Sequence, residues 1–103
     1  MRKVPYPHPG EILLEEFLIP LKISQNQLAR DIDVPVSRIS GIVKGERAIT
    51  ADTALRLAAF FKTSPDMWMT LQTEKDLRLA KAECGEEINK RVRAFEMVRA
   101  RAA

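Results

Sequence analysis

The stretch from residue 24 to residue 45, SQNQLARDIDVPVSRISGIVKG, leaves little freedom in local structure. Ser24 with Gln27 three positions later is the signature of a capped helix start. Leu28, Ala29 and Ile32, at i, i+1 and i+4, make a narrow apolar stripe. Val34-Pro35 closes that helix, because the residue before a proline avoids the helical region. Pro35 suits the first turn of a second helix, where its missing N–H costs nothing. Ile39, Ile42 and Val43 form the inward stripe of that second helix, and Gly45 stops it. Two short amphipathic helices joined by a tight turn are predicted, with Val36, Ser37, Ser40 and Gly41 on other faces of the second.

The rest of the chain is read in the same way. Residues 1–8, with basic, polar and proline residues, are expected to form an extended arm. Pro9-Gly10-Glu11 opens a first helix, whose early acids Glu11, Glu15 and Glu16 suit its positive N-terminal dipole. Its predicted stripe is Leu13, Leu14, Phe17, Leu18 and Leu21, and Pro20 should end or kink it. After a loop over 45–50, Thr50 caps a fourth helix with the apolar face Ala54, Leu55, Ala58 and Phe61. Ser64-Pro65-Asp66 starts a fifth, expected to run to about Glu83 with Met67, Trp68 and Leu71 inward. Gly85 breaks the pattern. Residues 86–101 predict a sixth helix, with Ile88, Val92, Phe95 and Val98 on one face and Lys90, Arg91, Arg93, Arg99 and Arg101 set against Glu96. No strand-like alternation and no repeat occurs. The expected fold is all-α: an arm (1–8), a five-helix domain (9–83) and a C-terminal amphipathic helix (84–103).

At 103 residues the chain makes one domain, large enough to bury a core without metals or disulfides. Apolar residues at 46% and charged residues at 30% carry no signature of disorder. A net charge of +3 permits nucleic-acid binding without arguing for it. Cys84 is the only cysteine, so no intramolecular disulfide can form, which fits a reducing cytoplasm. Met1-Arg2-Lys3 is followed by prolines rather than an apolar run, so no signal peptide is expected, and no segment is apolar enough for a membrane helix. His8, the only histidine, has no carboxylate or thiol at ligand spacing, and belongs to the start of the first helix rather than to a metal site. Cys84 has no neighbouring histidine to activate it. No acid–base pair, metal set or nucleophile emerges, so an enzyme is the weakest reading, and no cofactor is expected. Trp68 reads as a core anchor rather than a stacking platform.

A helix braced from behind, with a narrow face of small polar residues turned outward, is what the DNA major groove admits. The motif resembles the helix-turn-helix of the lambda-repressor-like (XRE) DNA-binding family. The resemblance extends through HPGEIL at 8–13, RAITADTALRLA at 47–58 and SPDMWMTLQ at 64–72. That ordered set is similar to one subfamily, the HigA antitoxins, also called VapI or plasmid-maintenance antidote proteins. It spans about residues 7–82. The resemblance implies that Val36, Ser37 and Gly41 face base edges and that Gln25 binds a backbone phosphate. Val36 could meet a thymine methyl, and Ser37 can hydrogen-bond several bases. Arg38, Ser40, Lys44 and Arg47 are placed for phosphates, or for bases where a long side chain reaches.

Two positions depart from the family's usual pattern. Asp33 stands in the turn where many relatives have glycine, and aspartate tolerates a positive φ better than most residues. Gly41 weakens the second helix by ~1 kcal/mol relative to alanine. Its missing side chain either lets the backbone approach the bases or removes a contact there.

By resemblance the chain is a repressor that binds double-stranded operator DNA in its own promoter as a homodimer. By the same resemblance it is the antitoxin of a type II pair, neutralising a HigB-like toxin that cuts mRNA on the ribosome. A stand-alone XRE regulator without a toxin is the alternative, and an interaction module that has lost DNA binding is a third reading. The C-terminal stripe packs on its own domain, pairs with the same helix of a second subunit, or stays partly disordered alone.

Overall fold

Four of the five helix starts among the described residues are set by side-chain acceptors; the helix that begins at Val36 has none. In the computed structural model, which describes residues 7–95, His8 Nδ1 accepts the Gly10 N–H at 3.0 Å. The Glu11 carboxylate accepts the His8 N–H in return, completing a capping box. This confirms His8 as part of the first helix start. Ser24 Oγ accepts from Gln27 N–H at 3.0 Å, Thr50 Oγ1 from Thr53 N–H at 3.4 Å, and Ser64 Oγ from Met67 N–H at 3.1 Å. Each satisfies an amide that the helix itself leaves without a partner.

Five helices follow among the described residues. The first, α1, is continuous through a turn at Pro9–Ile12, a π-helical stretch at Leu13–Leu18 and a closing turn at Ile19–Leu21. The others are α2 (Gln25–Asp31), α3 (Val36–Val43), α4 (Ala51–Phe61) and α5 (Pro65–Arg91). There is no strand among these residues, and no helix is long and apolar enough to cross a membrane.

Pro20 does not end α1. The helix widens ahead of it, so that the Ile19 N–H bonds to the Leu14 carbonyl five residues back. Widening relieves the clash a proline ring makes with the carbonyl four residues earlier. The helix stops at Leu21, followed by Lys22 with φ 59°. The predicted apolar stripe holds through Leu18: Leu13 and Leu18 are buried and Leu14 and Phe17 pack beside them, whereas Leu21, past the widened turn, lies exposed.

The core gathers Leu13, Leu18, Leu28, Ile39, Ile42, Ile49, Leu57 and Trp68, all nearly inaccessible. Phe17 sits 4.7 Å from Phe61 and 5.1 Å from Trp68, centroid to centroid, in tilted geometry. Trp68 is the core anchor expected, and its Nε1–H donates to Thr63 Oγ1 at 2.9 Å. On α4 the inward stripe is Thr53, Ala54, Leu57 and Ala58. Leu55, expected inside, faces solvent; the stripe is rotated to one side, taking in Thr53 and Leu57 in its place. Gln72, also buried, accepts the Ile49 N–H on Oε1 at 2.8 Å and donates to Asp76 at 2.9 Å. It ties the loop after α3 to α5.

The expected break at Gly85 is absent. Helix α5 runs straight through it to Arg91. A glycine inside a helix weakens it but stops it only when the chain turns there, and the flanking residues are strong helix formers. Residues 86–91 are therefore the end of α5 rather than the start of a sixth helix. Residues 92–95 are non-helical, and Val98, Arg99, Arg101 and Glu96 of that expectation lie outside the described residues. Beyond Gln72 no described residue is buried, and the long axis of the molecule reaches 60 Å.

Candidate nucleic-acid interface

The turn between α2 and α3 uses Asp33 at φ 63°, the conformation for which aspartate was expected to stand in for glycine. The Asp33 N–H bonds to Arg30 O and the Val34 N–H to Ala29 O, closing the turn on the end of α2. Leu28, Ala29 and Ile32 from α2 and Ile39 and Ile42 from α3 are buried as predicted. That brace leaves an outward face on α3. Val36 is 43% exposed, Ser37 and Lys44 are exposed, and Ser40 is half-buried with its hydroxyl donating to Ser37 O at 3.4 Å. Arg47 is exposed in the following loop, and Gln25 is half-buried at the first position of α2.

Gly41 lies against the loop that follows α3. A Cβ there would lie 3.2 Å from Arg47 Cβ, and the Gly41 carbonyl accepts both Glu46 N–H (2.9 Å) and Arg47 N–H (3.1 Å). The absent side chain makes room for the loop, which lays Arg47 alongside the helix. At Gly10 a Cβ would fall on the Ile42 carbonyl and the Val43 Cα. The start of α1 thus abuts the backbone at the end of α3 directly.

Arg38 is engaged in an ion pair with α4. It sits on the flank of α3 nearest α4, half-buried, and donates to Asp52 Oδ2 at 3.2 Å. The same oxygen accepts from Arg56 Nε at 2.9 Å. Arg56 Nη1 also donates to Ile32 O at 2.8 Å and Asp33 O at 3.3 Å. The hydrogen bond from Arg56, followed by the charges of Arg56 and Arg38, holds the Asp52 carboxyl below its ordinary value of 3.8. Asp52, Arg56, Gln72 and Gly10 were not singled out from sequence. Only the first two carried a local signal, the i, i+4 spacing of an acid before an arginine.

The arrangement offers hydroxyls, one apolar contact and flanking cations on an exposed helix face. That suits groove edges and phosphates, not bond-making chemistry. Among the described residues no group of histidine, cysteine, aspartate or glutamate side chains could hold a metal ion.

A family model described as helix-turn-helix matches residues 14–68. Virulence-associated protein I of Dichelobacter nodosus is 46% identical over 81 residues, 79% of this chain and 75% of that protein. An addiction module antidote protein of the HigA family from Coxiella burnetii has a solved structure that superposes with TM-score 0.83 at 46% identity, over 89% of this chain and all of that one. The Pseudomonas aeruginosa antitoxin HigA, solved with the higBA promoter, superposes with TM-score 0.84 at 41% identity, over 87% of this chain and 98% of that one. The chain belongs to the HigA-type antitoxins of the XRE helix-turn-helix family. This is a family of DNA-binding regulators, not of enzymes. In this HigA-type chain the matched span holds Gln25, Val36, Ser37, Arg38, Ser40, Gly41, Lys44 and Arg47, together with Asp52 and Arg56. The distal half of α5 lies beyond it.

Proposed function

We propose that this chain is a DNA-binding antitoxin that represses its own operon and neutralises a HigB-like mRNA endoribonuclease in the cytoplasm. The outward polar face of α3, fixed from behind by Ile39 and Ile42, carries the DNA half of the reading. The promoter complex of the 41% identical HigA relative supports it. In this reading Val36 and Ser37 address base edges, and Gln25, Ser40, Lys44 and Arg47 address phosphates. Gly41 contributes by seating Arg47. A homodimer places two copies of α3 about one helical turn (~34 Å) apart on a palindrome. The toxin half is supported by the HigA family alone.

The deciding measurement is fluorescence anisotropy with the chain's own upstream region and a random duplex, over a series of salt concentrations. Specific binding that weakens steeply as salt rises is expected, from release of counterions at the contacted phosphates. Equal, weak and salt-insensitive signals on both duplexes would reject DNA binding and leave an interaction module. Co-purification with the product of the adjacent small basic reading frame tests the toxin half. If that product is never retained, a stand-alone regulator stands.

A further inference from the structure

We propose that Asp52 and Arg56 are positioning residues of the DNA interface: by fixing Arg38 and the Asp33 turn together, they set the preference for operator over random duplex. The inference rests on the DNA-binding reading above.

The contacts form a continuous path. It leaves α3 at Arg38, crosses to α4 at Asp52 Oδ2 (3.2 Å), and passes to Arg56 Nε (2.9 Å). It returns through Arg56 Nη1 to the carbonyls of Ile32 (2.8 Å) and Asp33 (3.3 Å), at the turn that leads into α3. The first turn of α3 is thereby held on both sides, at the turn before it and at its third residue. Each link is charge-assisted and directional. Arginine alone can hold the carboxylate with Nε while its Nη1 serves the backbone; one ammonium cannot do both in that geometry.

Asp52 is exposed and beside the candidate interface, so its charge alone repels any duplex to the same degree. Positioning acts only where α3 must meet defined bases. The two effects therefore have opposite signs on operator and on random DNA. A charge without a positioning role would weaken both together.

The test is the ratio of operator to random-duplex affinity in Asp52→Asn, Arg56→Lys and Arg38→Ala, with thermal melts confirming a folded chain. Asp52→Asn is expected to lower operator affinity about fivefold while random duplex binds no weaker, or two- to threefold tighter, so the ratio falls about tenfold. Arg56→Lys, which keeps the charge, should lower the ratio without moving random binding. In an Arg38→Ala background, Asp52→Asn should lower the ratio less than it does alone, because part of its action runs through Arg38. Parallel tightening on both duplexes, or an unchanged ratio in Arg56→Lys, overturns the inference while leaving DNA binding intact. Failure of the unaltered chain to bind either duplex overturns the DNA-binding reading and this inference with it.

Discussion

At Gly10 a hydrogen, rather than a methyl group, separates two backbones. Any side chain there strikes the Ile42 carbonyl and Val43 Cα, and neither is free to rotate away. Gly10→Ala should therefore destabilise the fold by about 3 kcal/mol, the upper end of overpacking costs. A thermal melt should fall by more than about 10 °C. A second single-residue test concerns Gln72. Gln72→Leu removes the acceptor for the buried Ile49 N–H and should cost about 1–3 kcal/mol, although leucine is the more apolar residue. Asp52 adds a pH dependence. Its folded carboxyl is held below 3.8, so the stability it lends is present above that value and lost as pH falls below it. Acid titration of Asp52→Asn should show a shallower loss in that range than the unaltered chain. Of these residues only Asp52 had a local signal, the arginine four positions on. The partners of Gly10 and Gln72 lie more than twenty positions away, and nothing local announces a contact at that range. Asp33 was legible, because the φ its turn demands is a property of the residue itself.

At the scale of elements, starts were easier to read than ends. Ser24, Thr50 and Ser64 each cap the helix that the sequence assigned to them, since a cap needs only its own side chain and an amide three residues on. Ends depend on what the chain does next. Lys22 and Lys62 close α1 and α4 at positive φ without being glycine, whereas Gly85, the residue type expected to close α5, sits inside it. The stripe predicted for α1 holds at Leu13, Leu14, Phe17 and Leu18 and fails only at Leu21, past the widened turn ahead of Pro20, which the apolar spacing does not announce. The continuity of α5 is itself testable. A Cβ at Gly85 would meet only Lys81 Cβ, at 3.7 Å, which is ordinary contact, and its φ is not positive. Gly85→Ala should raise helix stability by about 1 kcal/mol, seen as slower amide exchange over residues 80–90. A real break at Gly85 would make the same substitution neutral or harmful.

For the whole molecule, the long extent of the distal α5 needs a reason that its own packing does not supply. Leu77 and Ile88 are exposed on the same side of the helix, eleven residues apart, and they line a shallow groove with Ala80, Gly85 and Asn89, edged by Lys81 and Glu86. A helix with no buried residue past Gln72 gains little from its own chain, and helix packing against a second copy would cover these side chains. A homodimer of the kind proposed above would have its seat here, and α3 keeps its own exposed face. Replacing both residues (Leu77→Asp with Ile88→Asp) puts like charges into that seat without touching the core. The variant should melt as a folded monomer by sedimentation and circular dichroism. Its affinity for a full palindromic operator should fall by about 10²-fold or more, since one bound half-site no longer raises the local concentration of the other. Affinity for an isolated half-site should stay the same. If the variant remains dimeric and keeps its operator affinity, the two copies meet elsewhere; if half-site binding falls as well, the distal helix acts on α3 itself rather than through assembly.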